Sequence, residues 1–179
     1  MGAEDEFRVL YESYYEAVMR YAQRRSGARV AADVAADVFT VVWRRMAEMP
    51  PEPLPWIYGI ARMTLANHVR GQARQEALSA RWSAEPTASE RDVGEVVSTR
   101  RHIHDAWASL APDDRELLAL IGWEGLTVRQ AARSLGCTTA TCSVRLHRAR
   151  ARLRKALDST PAVPRAPMRT ATLEGIPCD

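Results

Sequence analysis

The side chains with the clearest chemical purpose lie in residues 126–157, which carry eight basic groups and no acidic one. These are Arg129, Arg133, Arg145, Arg148, Arg150, Arg152, Arg154 and Lys155. Such a concentration of positive charge attracts phosphate groups. Thr127 and Thr138 suit helix N-caps, and Gly136 between them permits a tight turn. The pattern predicts a helix-turn-helix, a motif whose second helix enters the major groove of DNA.

The second helix of this motif has two distinct sides. Cys142, Leu146, Ala149 and Leu153 recur at spacings of four, three and four, so they share an apolar face. The candidate DNA contacts are Thr139, Ala140, Ser143, Val144, Arg145, His147, Arg148 and Arg150. Early residues of such a helix read base edges, while arginines grip phosphates. A merely solvated basic helix is the alternative.

Enzymatic chemistry has no comparable signal. The chain contains no glycine-rich nucleotide-binding motif, no G-x-S-x-G and no H-E-x-x-H. His102 and His104 are two residues apart on a predicted helix, so they point to different faces and do not share a metal. We therefore expect no catalysis, no metal and no cofactor.

Composition indicates a soluble, cytoplasmic protein. The chain has 179 residues, of which 46% are hydrophobic, and no apolar run reaches the ~20 residues of a membrane-spanning helix. Its acidic start is followed by no signal-peptide core. Three cysteines without a paired spacing fit a reducing compartment.

Apolar periodicity predicts an all-α protein with two small helical domains joined by a flexible linker. Phe7 to Tyr21 form one stripe that Ser26 and Gly27 close, a second helix begins near Ala28, and a third has Pro55 in its first turn. The predicted boundaries are 1–75 for the first domain, 76–99 for the linker, 100–158 for the helix-turn-helix domain and 159–179 for a disordered tail.

Three segments together resemble a known family. They are 31–44 (AADVAADVFTVVWR), 55–70 (PWIYGIARMTLANHVR) and 110–153, which contains the helix-turn-helix. In this order they are similar to the extracytoplasmic-function (ECF) sigma factors of the sigma-70 family. The resemblance implies a subunit that directs core RNA polymerase to specific promoters and initiates transcription, with catalysis left to the polymerase.

The resemblance also assigns roles to residues. Docking on the β′ clamp helices of the polymerase falls on Asp33, Asp37, Val38, Phe39, Thr40 and Trp43. Binding of the minus-10 element falls on Trp56, Tyr58, Arg62, Asn67 and Arg70, and minus-35 contacts fall on Ser143, Val144, His147 and Arg148. Phe39 and Trp43 could instead be core residues, and Trp56 could simply staple the start of its helix. The family further implies contact with the β flap and an anti-sigma factor, without membrane insertion.

Two other classes of protein remain open. A helix-turn-helix regulator acting without polymerase would explain residues 100–158, but it leaves the two N-terminal segments without a role. A protein-binding helical adaptor would leave the acid-free basic stretch unexplained. Co-purification with core polymerase separates the three classes.

Overall fold

The computed structural model describes residues 2–80 and 96–159, which form seven α-helices and no strand. The helices are α1 (Ala3–Ser26), α2 (Ala28–Arg44), α3 (Pro53–Ala80), α4 (Val96–Ala108), α5 (Pro112–Gly122), α6 (Val128–Leu135) and α7 (Thr139–Asp158). One 3₁₀ turn, Met46–Glu48, follows α2. The prediction of an all-α fold is confirmed for this part of the chain.

Helices α1 to α3 form the N-terminal unit. A single residue, Gly27, separates α1 from α2, and its φ of 77° lies in a region that favours glycine. The two helices therefore turn back on each other and bury Val18 and Tyr21 of α1 against Val38 of α2. Ile57 of α3 completes this core, in agreement with the predicted apolar stripes.

The proline-rich break between α2 and α3 is also present. Helix α3 begins at Pro53, where a proline costs no helical hydrogen bond. It continues to Ala80, beyond the predicted domain limit at 75, and α4 begins at Val96, inside the predicted linker. Residues 81–95, and residues 160–179 of the predicted disordered tail (159–179), lie outside the described residues, and the domain limits stay a prediction.

Helices α4 to α7 form the C-terminal unit, and α6 and α7 make the expected helix-turn-helix. The Thr127 hydroxyl accepts from the Gln130 N–H at 3.3 Å, and the Gln130 side chain accepts from the Thr127 N–H at 2.8 Å, which is a capping box. Gly136 ends α6 with φ 64° and ψ 34°, the left-handed conformation. The Thr138 hydroxyl then accepts from the Thr141 N–H at 3.1 Å and starts α7.

The two units pack against each other through α3 and α6. The Ser134 hydroxyl of α6 donates to the Pro55 carbonyl of α3 at 2.7 Å, and this bond is buried. Gly59 faces the same place, because a Cβ built on it would lie 3.3 Å from the Ser134 carbonyl oxygen. Buried apolar side chains of both units consequently form one continuous core.

Candidate functional site

The outer face of α7 gathers nearly all the predicted minus-35 contacts. Thr139, Ala140, Ser143, Val144, His147, Arg148 and Arg150 are all exposed. Cys142, Leu146 and Ala149 are buried on the opposite side, which fixes this orientation. Val144 is 51% exposed, a large share for an apolar side chain. One exposed face of α7 therefore carries small, apolar and cationic side chains.

Arg145 differs from the other predicted DNA contacts. Its guanidinium lies 3.3 Å from the Asp113 carboxylate, and its side chain is only 32% exposed. Arg152 likewise donates to Asp114, a buried acid in the first turn of α5. The positive charge of residues 126–157 is thus partly neutralised by two acids of α5. If Arg145 also contacts DNA, its guanidinium must interact with a phosphate and with Asp113 at once.

Several cations on α6 and α7 remain available. Arg129, Arg148, Arg150, Arg154 and Lys155 make no ion pair with any residue in the described ranges 2–80 and 96–159. All five are exposed. They give this end of the C-terminal unit the positive field that phosphate binding needs.

The predicted polymerase contacts on α2 divide between surface and core. Asp33, Asp37 and Thr40 are exposed, and the Asp37 carboxylate lies 2.8 Å from His68 Nε2. Val38 and Phe39, by contrast, are buried in the N-terminal core. The alternative of a core role is therefore realised for Phe39.

Trp43 keeps an exposed face. It is 44% exposed, while its other edge packs on Phe7 with ring centroids 5.1 Å apart. The surface of α2 thus carries two carboxylates and an indole, although the indole is also anchored to α1. Trp43 can serve packing and contact together.

Four of the five predicted minus-10 residues retain accessible surface. Asn67 and Arg70 are exposed, and the Arg70 guanidinium donates to Asn67 Oδ1 at 2.5 Å. Trp56 and Arg62 are half-buried. Trp56 lines a cavity of about 330 Å³ that Arg133 of the C-terminal unit also borders. At this position Trp56 can both pack against the start of α3 and contact a base.

Tyr58 is a correction to the expected set of stacking aromatics. Only 3% of it is exposed, and its ring packs on Tyr21 with centroids 5.0 Å apart. Burial, reinforced by the Glu124 carboxylate, raises the pKa of Tyr58 to about 12. The ring is closed to an unpaired base in this arrangement. Tyr58 lies three residues before Ala61 and seven before Leu65, and both of these are buried. This helical spacing indicates that Tyr58 is on the core side of α3.

Sequence reasoning missed a polar network that joins the two units. The Tyr21 hydroxyl donates to Glu116 Oε1 at 2.7 Å, and Arg25 Nε donates to Glu116 Oε2 at 2.8 Å. Arg25 Nη1 also donates to Glu124 Oε1 at 2.9 Å, and Arg24 pairs with the same carboxylate. The Arg25 guanidinium lies 3.5 Å from the centroid of the Tyr21 ring. We call these five residues the clasp.

The clasp is largely removed from water. The side chains of Arg25, Glu116 and Glu124 are 14%, 16% and 2% exposed. Burial raises the pKa of the Tyr21 hydroxyl, and the Glu116 carboxylate beside it raises that pKa further. No local pattern could reveal these contacts, because partners about 90 to 100 residues apart in the chain meet only in the folded protein.

A second polar contact between the units lies at the start of α3. The Glu52 carboxylate accepts from Gln130 and Arg133 of α6. The hydrogen bond from Gln130, followed by Arg133, holds the pKa of Glu52 below its usual value. The loop before α3 is thereby tied to the helix-turn-helix.

The described residues contain neither a membrane-spanning helix nor a cluster of metal-ligating side chains. Within residues 2–80 and 96–159, no helix combines the length and apolarity needed to cross a bilayer. The same described ranges hold no group of three metal-ligating side chains. His102 Nε2 instead donates to the Leu157 carbonyl at 2.9 Å and links α4 to α7.

Both units match models of one protein family. Residues 10–75 match sigma-70 region 2, and residues 100–153 match sigma-70 region 4. The two matches cover the helices that bear the α2 surface, the start of α3 and the helix-turn-helix. Together they span more than half of the chain.

Similar proteins carry the same family name. The chain is 33% identical to a probable RNA polymerase sigma factor, RfaY, of Xanthomonas campestris pv. campestris, over 66% of the chain and 32% of the relative. It is 30% identical to RNA polymerase sigma factor CarQ of Myxococcus xanthus, over 58% of the chain and 60% of the relative. It is 38% identical to the RNA polymerase sigma-E factor of Streptomyces avermitilis, over 41% of each protein. The chain thus spans about a third to three fifths of these relatives.

Solved structures share the fold. The sigma factor RpoE, crystallised with the anti-sigma factor NepR from Bartonella quintana, is similar with a TM-score of 0.61 and 23% identity, over 87% of this chain and 99% of that one. CnrH, in complex with the cytosolic domain of CnrY, is similar with a TM-score of 0.61 and 19% identity, over 88% and 91%. The resemblance read from the three sequence segments is confirmed, and the chain belongs to the sigma-70 family.

Proposed function

We propose that this protein acts in the cytoplasm as an ECF-type sigma factor, which brings core RNA polymerase to specific promoters and starts transcription. The observation that carries the proposal is the presence in one chain of a solvent-facing cationic recognition helix and a separate acidic, aromatic surface on α2. A DNA-binding regulator needs the first surface and has no use for the second. RNA synthesis itself belongs to the polymerase.

Helix α7 provides the duplex contacts in this function. Ser143 and Val144 lie where base edges would be reached, and Val144 can contact a thymine methyl group. Arg148 and Arg150 flank them and can neutralise phosphates on either side. These roles suit the minus-35 element.

The surface of α2 provides the polymerase contact. Asp33 and Asp37 lie one turn apart and suit a basic partner helix, and the exposed face of Trp43 adds an apolar anchor. The buried Val38 and Phe39 support this surface from beneath.

A groove beside α2 is suited to the minus-10 strand. It has a volume of about 650 Å³ and is bordered by Arg44 of α2 and by Asn67 and Gln72 of α3, and the Asp37–His68 pair also borders it. Trp56 lies on a neighbouring cavity and is the remaining aromatic candidate for base stacking. Backbone and base contacts would therefore run along α3.

The described arrangement is a closed form that this function requires to open. Elements centred at minus 10 and minus 35 are about 25 base pairs apart, or about 85 Å along B-DNA. A compact chain of this size has a radius of gyration of only about 16 Å. The clasp and the contact of Glu52 with α6 hold the units too close together for both elements to be reached at once.

An anti-sigma factor is a further proposed partner. The two structures of similar fold were solved as complexes, one with an anti-sigma factor and one with the cytosolic domain of CnrY. A partner that binds the closed form would keep the α2 surface and α7 from acting together.

Co-purification with core RNA polymerase tests the central proposal. The double replacement Asp33→Lys and Asp37→Lys places like charges against a basic partner and should abolish retention, while circular dichroism stays normal. The matched control is Glu12→Lys with Glu16→Lys, since these two exposed acids are also one turn apart but lie on α1. Retention of both variants would remove the α2 assignment, and no retention of the parent would remove the sigma-factor proposal.

Transcription assays test the melting role of Trp56. Trp56→Ala should reduce run-off transcription from duplex promoters, because each stacked base is worth about 1–3 kcal/mol. A template with a mismatched, pre-opened minus-10 segment should restore part of the activity. Trp123→Ala, a change of an exposed indole in the C-terminal unit, is the control. Normal duplex transcription by a folded Trp56→Ala protein would transfer the role to Arg62 and Asn67.

A further inference from the structure

The start of α7 is built around two cysteines. Thr138 is its N-cap, so Cys137 occupies the position just before the cap and Cys142 the fourth position of the helix. Side chains at these two positions commonly pack together as a hydrophobic staple, which fixes the angle at which the chain enters a helix. Here both halves of the staple are thiols.

The local backbone holds both thiols in place. The Cys137 N–H donates to the Ala132 carbonyl at 2.9 Å, and the Cys142 N–H donates to the Thr138 carbonyl at 2.9 Å. Cys142 is completely buried, whereas Cys137 is half-buried and packs on the core. Burial raises the pKa of the Cys142 thiol, and the charge and hydrogen bonding of neighbouring Cys137 raise it further.

We propose that Cys137 and Cys142 are an oxidisable pair whose conversion to a disulfide weakens DNA binding by α7. The effect on DNA rests on the proposed function, whereas formation of the bond does not. Redox-sensing cysteines often lie next to a resolving thiol, and Cys137 is the partly exposed member of this pair. Cytosolic disulfides, where they occur, are mostly of this transient kind.

The chemistry balances with a peroxide as the oxidant. The Cys137 thiol loses its proton, its thiolate attacks one peroxide oxygen, and the O–O bond breaks to give Cys137 sulfenic acid and hydroxide. The hydroxide takes up the thiol proton and leaves as water. The Cys142 sulfur then attacks the Cys137 sulfur, the S–O bond breaks, and the departing hydroxide takes the Cys142 proton and leaves as a second water. Two thiols lose two electrons, and hydrogen peroxide is reduced to two molecules of water.

We expect closure of this bond to draw the residue before the cap toward the first turn of the recognition helix. Non-bonded heavy atoms lie about 3.5–4 Å apart, whereas bonded sulfurs are about 2.05 Å apart. The segment between the two cysteines contains Thr139 and Ala140, and the next two residues after Cys142 are Ser143 and Val144. The proposed base-reading positions therefore shift when the pair is oxidised.

The test uses the full chain with Cys178→Ser, which leaves these two cysteines alone. Treatment with hydrogen peroxide should lower the mass by about 2 Da and remove both free thiols. The same treatment should weaken binding to the duplex that the reduced chain selects from a randomised pool by roughly tenfold or more, and dithiothreitol should reverse both changes. Cys137→Ser in the same background is the matched control and should bind that duplex with no response to peroxide.

Two results would overturn the proposal. One is the absence of the 2 Da loss while over-oxidation or dimers form instead, and the other is the mass loss with unchanged affinity for the selected duplex. If the reduced chain selects no duplex, the proposed DNA-binding function fails and with it the effect on DNA. The mass measurement would still decide separately whether the thiols form a bond.

Discussion

Neutralising the carboxylates of the clasp should open the closed form. The replacements Glu116→Gln and Glu124→Gln keep the size of both side chains. They remove the two negative charges that face the guanidinium of Arg25. Arg25 is 14% exposed in the closed form, so its charge would lie there without a carboxylate partner. Separation of the units lets water solvate that charge. The replacements therefore destabilise the closed form far more than the open one.

The expected magnitude follows from burial. Removing the partner of a buried ion pair costs about 3–5 kcal/mol. The lower end applies here, because Arg25 and Glu116 retain some exposure and glutamine still accepts hydrogen bonds. About 3 kcal/mol changes the ratio of open to closed molecules by roughly a hundredfold.

Small-angle scattering and polymerase binding measure the outcome together. The parent should have a radius of gyration near the ~16 Å of a compact chain, and the variant should exceed this by several ångströms. Core polymerase should bind the variant more tightly. A larger fraction of the variant is already open, so the free-energy cost of opening lowers its apparent affinity for polymerase less. Glu16→Gln is the control, since the Glu16–Arg20 pair is 3.9 Å long, exposed and confined to α1. An unchanged radius together with unchanged affinity would refute the view that the clasp holds the units together.

Three further outcomes are expected. Gly71→Ala should stabilise α3 by about 0.5–1 kcal/mol, because a Cβ there meets no neighbour. Gly59→Ala should stabilise the protein less or separate the units, because its Cβ would lie 3.3 Å from the Ser134 carbonyl oxygen. Thermal melting and small-angle scattering compare the two variants. The raised pKa of Tyr58 means that its contribution to stability, present below pH 10, is lost as pH rises to about 12, up to roughly 2–3 kcal/mol. Urea unfolding across this range should show a smaller decline for Tyr58→Phe, and an identical decline would contradict the assignment. Arg148→Ala should lower the salt slope of duplex binding by about one unit, and Arg145→Ala by less because Asp113 already pairs with Arg145.

Local sequence was sufficient to predict most of the secondary structure. The cap residues Thr127 and Thr138 and the left-handed Gly136 are effects of single side chains on a few neighbouring backbone groups, so they appear in the sequence unaltered. The buried side of α7 follows from spacing alone for the same reason. These features predicted the helix-turn-helix and its exposed face.

Aromatic residues were harder to assign. Tyr58 and Phe39 were assigned to binding by their type and by resemblance, yet both are buried because their helices turn them toward α1. Trp43, on the same helix as Phe39, keeps an exposed face. Periodicity indicates which residues share a side of a helix, but only packing decides which sides are covered.

The sequence by itself determined the helices, their caps, the acid-free basic stretch and the family, because each of these depends on residues close together in the chain. Only the tertiary structure decided that Arg145 is paired with Asp113 and that Arg25 lies between Glu116 and Glu124. Such pairings join side chains from different helices, and their geometry depends on how both units pack. Oppositely charged partners that are about 90 residues apart in the chain produce no periodic pattern in the sequence. The closed form therefore could not be predicted from the sequence.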